Sequence, residues 1–240
     1  MMMASLKKAL RTVFEVCMNL KRNESCLVVS DSKKRELGLA FFEAAKSITE
    51  KSAYEEVLPP PRNGTEPLEQ IGSSWKFFDV IILVTSKSFS HTKARKAACK
   101  AGARIASMPG LTEDMAKRAL DVDYALMKKR SVKLARILEK GSKVRVTTAL
   151  GTDLEFSIKK HKPFTDFGIY SKKGSFGNLP AGESGLAPDE GTANGILVVD
   201  ACMGTGVLKE PVKITIKDGF AVKFEGKEGA RVRKQFEGLG

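Results

Sequence analysis

The sequence predicts an α/β protein: an N-terminal three-layer α/β domain with a mostly parallel sheet, followed by part of a β-rich α+β domain. Three observations carry that prediction. Short, wholly apolar runs alternate with helix-period segments over residues 1–140, the rhythm of βαβ units. After Gly141 the pattern changes to alternating strands separated by turn glycines. The 240 residues are 42% hydrophobic and 29% charged, ordinary globular values that exclude disorder as the main state.

The chain opens on MMMASLKKALRTVFEV, an amphipathic helix with no secretory cleavage pattern behind it. Ser25–Ser30 is a compact apolar run, as a strand buried on both faces requires. Asp31-Ser32 offers an N-cap for a helix over Lys33–Lys46, where Leu37, Ala40, Phe41 and Ala44 recur at helical spacing. Tyr54–Leu58 is a short strand stopped by Pro59-Pro60-Pro61. Glu66–Ser74 is polar and ambiguous, and Phe78–Thr85 is the clearest strand in the chain. A basic helix over His91–Ala101 starts at Ser90 or His91 and ends at Gly102, a natural C′ glycine. Ala103–Met108 is a fourth strand, and Thr112 caps a helix over Thr112–Leu120.

A longer helix spans Val122–Lys140, and the domain boundary is placed after it, giving domains 1–140 and 141–240. Lys143–Ala149 and Thr152–Ile158 form a hairpin about Gly151. Gly195–Val199, Pro211–Ile216 and Phe220–Phe224 are further strands, the last two joined by Asp218-Gly219, a strong hairpin turn. A glycine-rich stretch from Gly168 to Gly195 separates the two β groups.

Charge and cysteines narrow the function classes. There are 41 Lys+Arg against 28 Asp+Glu, a net +13, with +10 in residues 1–140 and +3 in the remainder. Basic clusters at Lys93–Arg104 and Lys128–Arg136 could attract nucleic acid, but no aromatic side chain is interleaved in the first, and Trp75 is the only tryptophan. Stacking platforms normally accompany such cations, so the lysines read as solvated helix faces. Cys17, Cys26, Cys99 and Cys202 form no C-x-x-C pair, which fits reduced thiols and a cytoplasmic location. No apolar run approaches a membrane span. Glycine patterns for phosphate binding are missing, and Gly204-Thr-Gly206 precedes a strand, so it reads as a turn.

The most informative segment runs from Gly174 to Leu208. It contains no Lys or Arg but carries Glu183, Asp189, Glu190 and Asp200. Carboxylate oxygens without competing ammonium groups suit a divalent cation, while the same composition also suits a solvated surface loop. Glu183 stands out because glycine and proline flank it and can fix its backbone.

Asn178-Leu-Pro-Ala-Gly-Glu183, continued by Ala187-Pro188, Gly191, Asn194-Gly-Ile and Asp200, resembles the signature of the thermophilic-type metallo-aminopeptidases, which include aminopeptidases T and S. Ser90-His-Thr-Lys-Ala-Arg95 with Gly102–Gly110, Gly151-Thr-Asp-Leu, and the strands around Asp218-Gly219 extend the resemblance over nearly the whole chain. It implies a homodimeric peptidase acting on peptide substrates. Two divalent metal ions (zinc, cobalt or manganese) would activate a bridging water. Glu183 matches the family's first glutamate ligand.

The family's other ligands, a glutamate, histidines and an aspartate, lie beyond the equivalent of Phe236, and no catalytic residue can be assigned. His91 reads as a helix start, and His161 sits in a basic run that repels cations. The ending Glu237–Gly240, just after a helix start at Gly229–Phe236, leads us to expect a truncated, catalytically incomplete chain. Two alternatives remain: a non-catalytic binding module with a basic surface, and a non-haem iron, ring-cleaving dioxygenase, because distant relatives of this fold have that chemistry.

Overall fold

The computed structural model describes residues 2–203 and 206–237. Two compact units emerge, one formed by Met1–Ser131 with Thr165–Glu183, the other by Val132–Phe164 with Ser184–Gly240. The chain first passes from one unit to the other between Ser131 and Val132, inside the helix expected over Val122–Lys140. The return of residues 165–183 to the first unit was not anticipated, and it has a direct cause in strand pairing, described below.

The first unit contains, in chain order, α1 (Met2–Thr12), β1 (Cys26–Asp31), α2 (Arg35–Lys46), β2 (Ser52–Val57), α3 (Glu69–Ser74), β3 (Val80–Val84), α4 (Lys93–Ala101), β4 (Arg104–Ser107) and α5 (Glu113–Ala119). The helix α6 (Tyr124–Lys140) carries the chain into the second unit. There follow β5 (Lys143–Thr147), β6 (Asp153–Ser157), β7 (Phe164–Asp166), β8 (Phe176–Asn178), β9 (Glu183–Gly185) and β10 (Asn194–Val199). The chain closes with β11 (Cys202–Met203), β12 (Gly206–Val207), β13 (Val212–Lys217), β14 (Phe220–Glu225) and α7 (Gly229–Glu237).

In the first unit the strands lie in the order β2-β1-β3-β4-β8, and every pairing is parallel. Period-two alternation sends consecutive side chains to opposite faces. Val28, Val80, Ile82 and Ala106 therefore join Phe14, Phe41 and Met108 in one core. Leu27, Val29, Ile81, Leu83 and Ile105 join Trp75, Phe89 and Ala98 in the other. With helices on both faces, this is the expected three-layer arrangement. A buried ion pair ties it together: Arg104, 4% exposed, donates through both terminal nitrogens to Glu24, at 2.9 and 2.7 Å.

Three local expectations change. Asp31 ends β1 and is fully buried; its carboxylate accepts from the N–H groups of Lys33 and Ser86. It closes that loop rather than capping α2, which begins at Arg35 with no side-chain cap. Thr92, not Ser90 or His91, caps α4, its hydroxyl accepting from the Arg95 N–H. The ambiguous polar segment yields the short α3. Gly102 does adopt the left-handed conformation at the end of α4, and Thr112 caps α5.

The second unit is built on an antiparallel sheet, β14-β13-β10-β6-β5. Asp218 and Gly219 both have positive φ, 48° and 83°, as a two-residue hairpin turn that follows strand twist demands. Leu197, Val199, Val212, Ile214 and Phe224 pack with Val232 of α7 in its core. Gly204 and Thr205 of the expected turn, and Gly238–Gly240, on which the expected break in the chain rests, lie outside the described residues. No helix among the described residues is long and apolar enough to cross a membrane.

Candidate functional site

In open parallel sheets, ligands bind beyond the carboxyl ends of the strands, because the loops there diverge where strand order reverses. In the first unit the order reverses between β1 and β3. The loop after β1 opens on a depression of about 490 Å³ lined by Ser32, Lys33, Lys34 and Thr112. Its cations are largely committed. Lys34 Nζ donates to the carbonyls of Gly110 and Leu111, and Arg35 pairs in bidentate fashion with Glu56. That leaves a poor phosphate cradle, in line with the missing glycine motifs.

Further along the same edge, hydroxyl groups converge on the Asn178–Glu183 run. Ser107 closes β4 opposite Asn178 of β8, and the Leu179 N–H donates to the Ser107 carbonyl at 3.0 Å. This pairing brings residues 165–183 back into the first unit. The Ser90 hydroxyl has two acceptors at 3.2 Å, Ser107 Oγ and Asn178 Oδ1. Ser88 Oγ accepts from the Ser90 N–H at 3.0 Å and donates to Ser90 Oγ at 2.8 Å. The Arg95 Nε donates to the Ser90 carbonyl at 2.7 Å, and its guanidinium stacks 4.1 Å from the Phe176 ring centre. One arginine thus braces both sides of the hydroxyl group.

Beneath the run, Tyr170 acts as a clamp. Its hydroxyl faces the Asn178 carbonyl at 2.6 Å and Asp166 Oδ1 at 2.7 Å. Burial, and then the Asp166 carboxylate, push its phenol far above the usual range, so it remains a donor. The Gly182 N–H donates to the Asp166 carbonyl at 3.0 Å, which fixes the other end of the turn. Gly177 has to be glycine, because a Cβ there would fall inside the Tyr170 ring. Gly182, at φ 127°, turns the chain so that Glu183 enters β9.

The candidate carboxylates fare differently. Glu183 is exposed at the start of β9. Asp189 is a structural clip: its carboxylate accepts from the Ser157 hydroxyl and from the N–H groups of Lys159 and Lys160. The Ser157 hydrogen bond, helped by those amides, holds it below the usual carboxylate range against the opposing effect of burial. Glu190 and Asp200 are exposed, as are His91 and His161.

Among the described residues no three His, Cys, Asp or Glu side chains come together to hold a metal. A non-haem iron centre needs two histidines and a carboxylate, and a dinuclear peptidase centre needs more. Neither ligand set fits the residues present, with Glu183 as the one candidate. Sequence reasoning assigned no site role to Ser88, Ser90, Ser107, Asp166 or Tyr170, and took Ser90 only as a candidate helix start. Ser90 and Ser107 did lie inside the segments that carried the family resemblance, which was the available signal.

The chain resembles known proteins in two ways. Solved structures share its fold: 2,5-dihydroxypyridine dioxygenase from Pseudomonas putida KT2440 superposes with a TM-score of 0.78 at 18% identity, over 98% of this chain and 72% of that one. Wild-type AmpT from Thermus thermophilus superposes with a TM-score of 0.64 at 14% identity, over 98% of this chain and 74% of that one. At these identities both show fold alone, so the aminopeptidase resemblance of the Asn178–Glu183 run is structural. No curated protein sequence gives a significant match. The family model for 2,5-dihydroxypyridine 5,6-dioxygenase, NicX, matches residues 5–237, and the chain belongs to that family.

Proposed function

We propose that this chain serves the oxidative ring opening of a hydroxylated pyridine, and that the first unit binds the ring's oxygen substituents at the carboxyl edge of its parallel sheet. The family match over residues 5–237 carries this reading. The edge supplies suitable chemistry, a neutral amide and hydroxyls held by buried partners rather than a cationic cradle. Oxygen insertion in such an enzyme depends on a metal. Glu183 is the one residue of this chain we would assign to it.

A metal-dependent aminopeptidase is the second reading, favoured by the Asn178-Leu-Pro-Ala-Gly-Glu183 run. Calorimetric titration of the chain with 2,5-dihydroxypyridine and, separately, with leucinamide discriminates the two. The proposal expects saturable binding of the hydroxypyridine and none of the amide. Binding of leucinamide alone would overturn it in favour of the peptidase.

A further inference from the structure

We propose that Asn178 receives an anionic ring oxygen of the substrate, its amide aimed by a chain of buried and half-buried hydroxyls; this rests on the hydroxypyridine reading above. The argument begins with proton directions. Ser88 Oγ accepts from the Ser90 N–H, so its own proton goes to Ser90 Oγ. The one proton of the Ser90 hydroxyl then has two acceptors at 3.2 Å, Ser107 Oγ and Asn178 Oδ1, and the amide oxygen is the stronger acceptor of the two. Ser90 and Ser107 are 5% and 0% exposed, so the Ser90 hydroxyl finds its partners within the protein, and leaving its bonds unmade would be costly.

With its oxygen held from inside, the carboxamide of the exposed Asn178 turns its NH₂ outward. Arg95 keeps the arrangement rigid, bonding the Ser90 carbonyl and stacking on Phe176, two residues before Asn178 on the same face of β8. An outward pair of N–H donors matches a deprotonated ring hydroxyl. It repels an ammonium group, which offers only donors, so this side chain favours a hydroxypyridine over a peptide amino terminus.

The test is the affinity of the folded chain for 2,5-dihydroxypyridine and for unsubstituted pyridine, by calorimetry, with circular dichroism confirming the fold of each variant. Asn178→Ala should weaken hydroxypyridine binding about ten-fold, the loss of one charge-assisted hydrogen bond. Asn178→Asp should weaken it about a hundred-fold, because it sets a carboxylate against the ligand oxygen. Ser90→Ala, which frees the amide to turn over, should fall between no effect and Asn178→Ala. Pyridine, lacking the oxygens, should lose nothing in any variant. Hydroxypyridine binding that Asn178→Ala and Asn178→Asp leave unchanged overturns this proposal alone. No hydroxypyridine binding by the unmodified chain overturns it together with the functional reading.

Discussion

Replacing Gly177 with alanine perturbs the clamp under the Asn178–Glu183 run at its tightest point. The added methyl would occupy the space of the Tyr170 ring and hydroxyl, so the ring must leave its site. Tyr170 is 6% exposed and holds both ends of the run, through the Asn178 carbonyl and Asp166. Expelling a buried aromatic costs about 3–5 kcal/mol, and losing its hydrogen bonds about 1 kcal/mol more. Partial repacking recovers some of this, leaving about 3 kcal/mol. In a chain of this size that corresponds to a fall of about 6–12 °C in Tm.

Urea unfolding followed by Trp75 fluorescence is the suitable assay, because Trp75 is the only tryptophan and lies in the core of the first unit. Tyr170→Phe, which removes the hydroxyl but not the ring, should cost about 1–2 kcal/mol. In the double variant Gly177→Ala/Tyr170→Ala the clash disappears, so the two costs should be strongly non-additive. A Gly177→Ala loss below about 0.5 kcal/mol would refute the clamp, since surface changes away from special sites fall within that range.

Two other predictions concern the Arg104–Glu24 ion pair and the thiols. Glu24→Gln leaves Arg104 buried without its anion and should cost about 3 kcal/mol at neutral pH. The Arg104 hydrogen bonds hold the Glu24 carboxyl below its ordinary 4.5. The stabilisation is thus complete above that value and is lost as pH falls through the lowered one. The stability gap between wild type and variant should shrink below about pH 4.5, and a gap constant from neutrality to strong acid would contradict the pairing. Among the thiols, burial pushes Cys17 up to about 12 and Cys26 higher still, whereas Cys202 is exposed. Iodoacetamide near pH 8 should label Cys202 first and Cys17 and Cys26 only after unfolding, as read by peptide mass spectrometry. Labelling of either buried thiol in the native chain would contradict the packing.

Much of the first unit was legible because its strands are continuous apolar runs. Phe78–Thr85 and Ser25–Ser30 read as buried strands at once, and β3 and β1 are buried throughout. The hairpin at Asp218-Gly219 was legible because its conformation needs those residue types. The fifth strand of the parallel sheet was not. Phe176-Gly-Asn178 has no apolar run, and it becomes a strand because β4 offers it an edge, through Ile105 N–H to the Ser175 carbonyl and Leu179 N–H to the Ser107 carbonyl.

The acidic window was visible, but its members have different fates. Asp189 is committed to Ser157, Lys159 and Lys160, partners about thirty positions earlier that composition cannot reveal. The hydroxyl chain escaped notice for a similar reason. Ser88, Ser90 and Ser107 are ordinary residues until the sheet register sets Ser107 beside Asn178 and the loop before α4 brings in the other two.

The most direct test of the central claim is a ¹H–¹⁵N spectrum of the chain titrated with 2,5-dihydroxypyridine. The account predicts that perturbed signals gather at Ser88, Ser90, Ala181–Glu183 and the Asn178 side-chain amide, with the rest of the first unit unmoved. Perturbations confined to other residues, or a spectrum that responds to leucinamide and not to the hydroxypyridine, would contradict it.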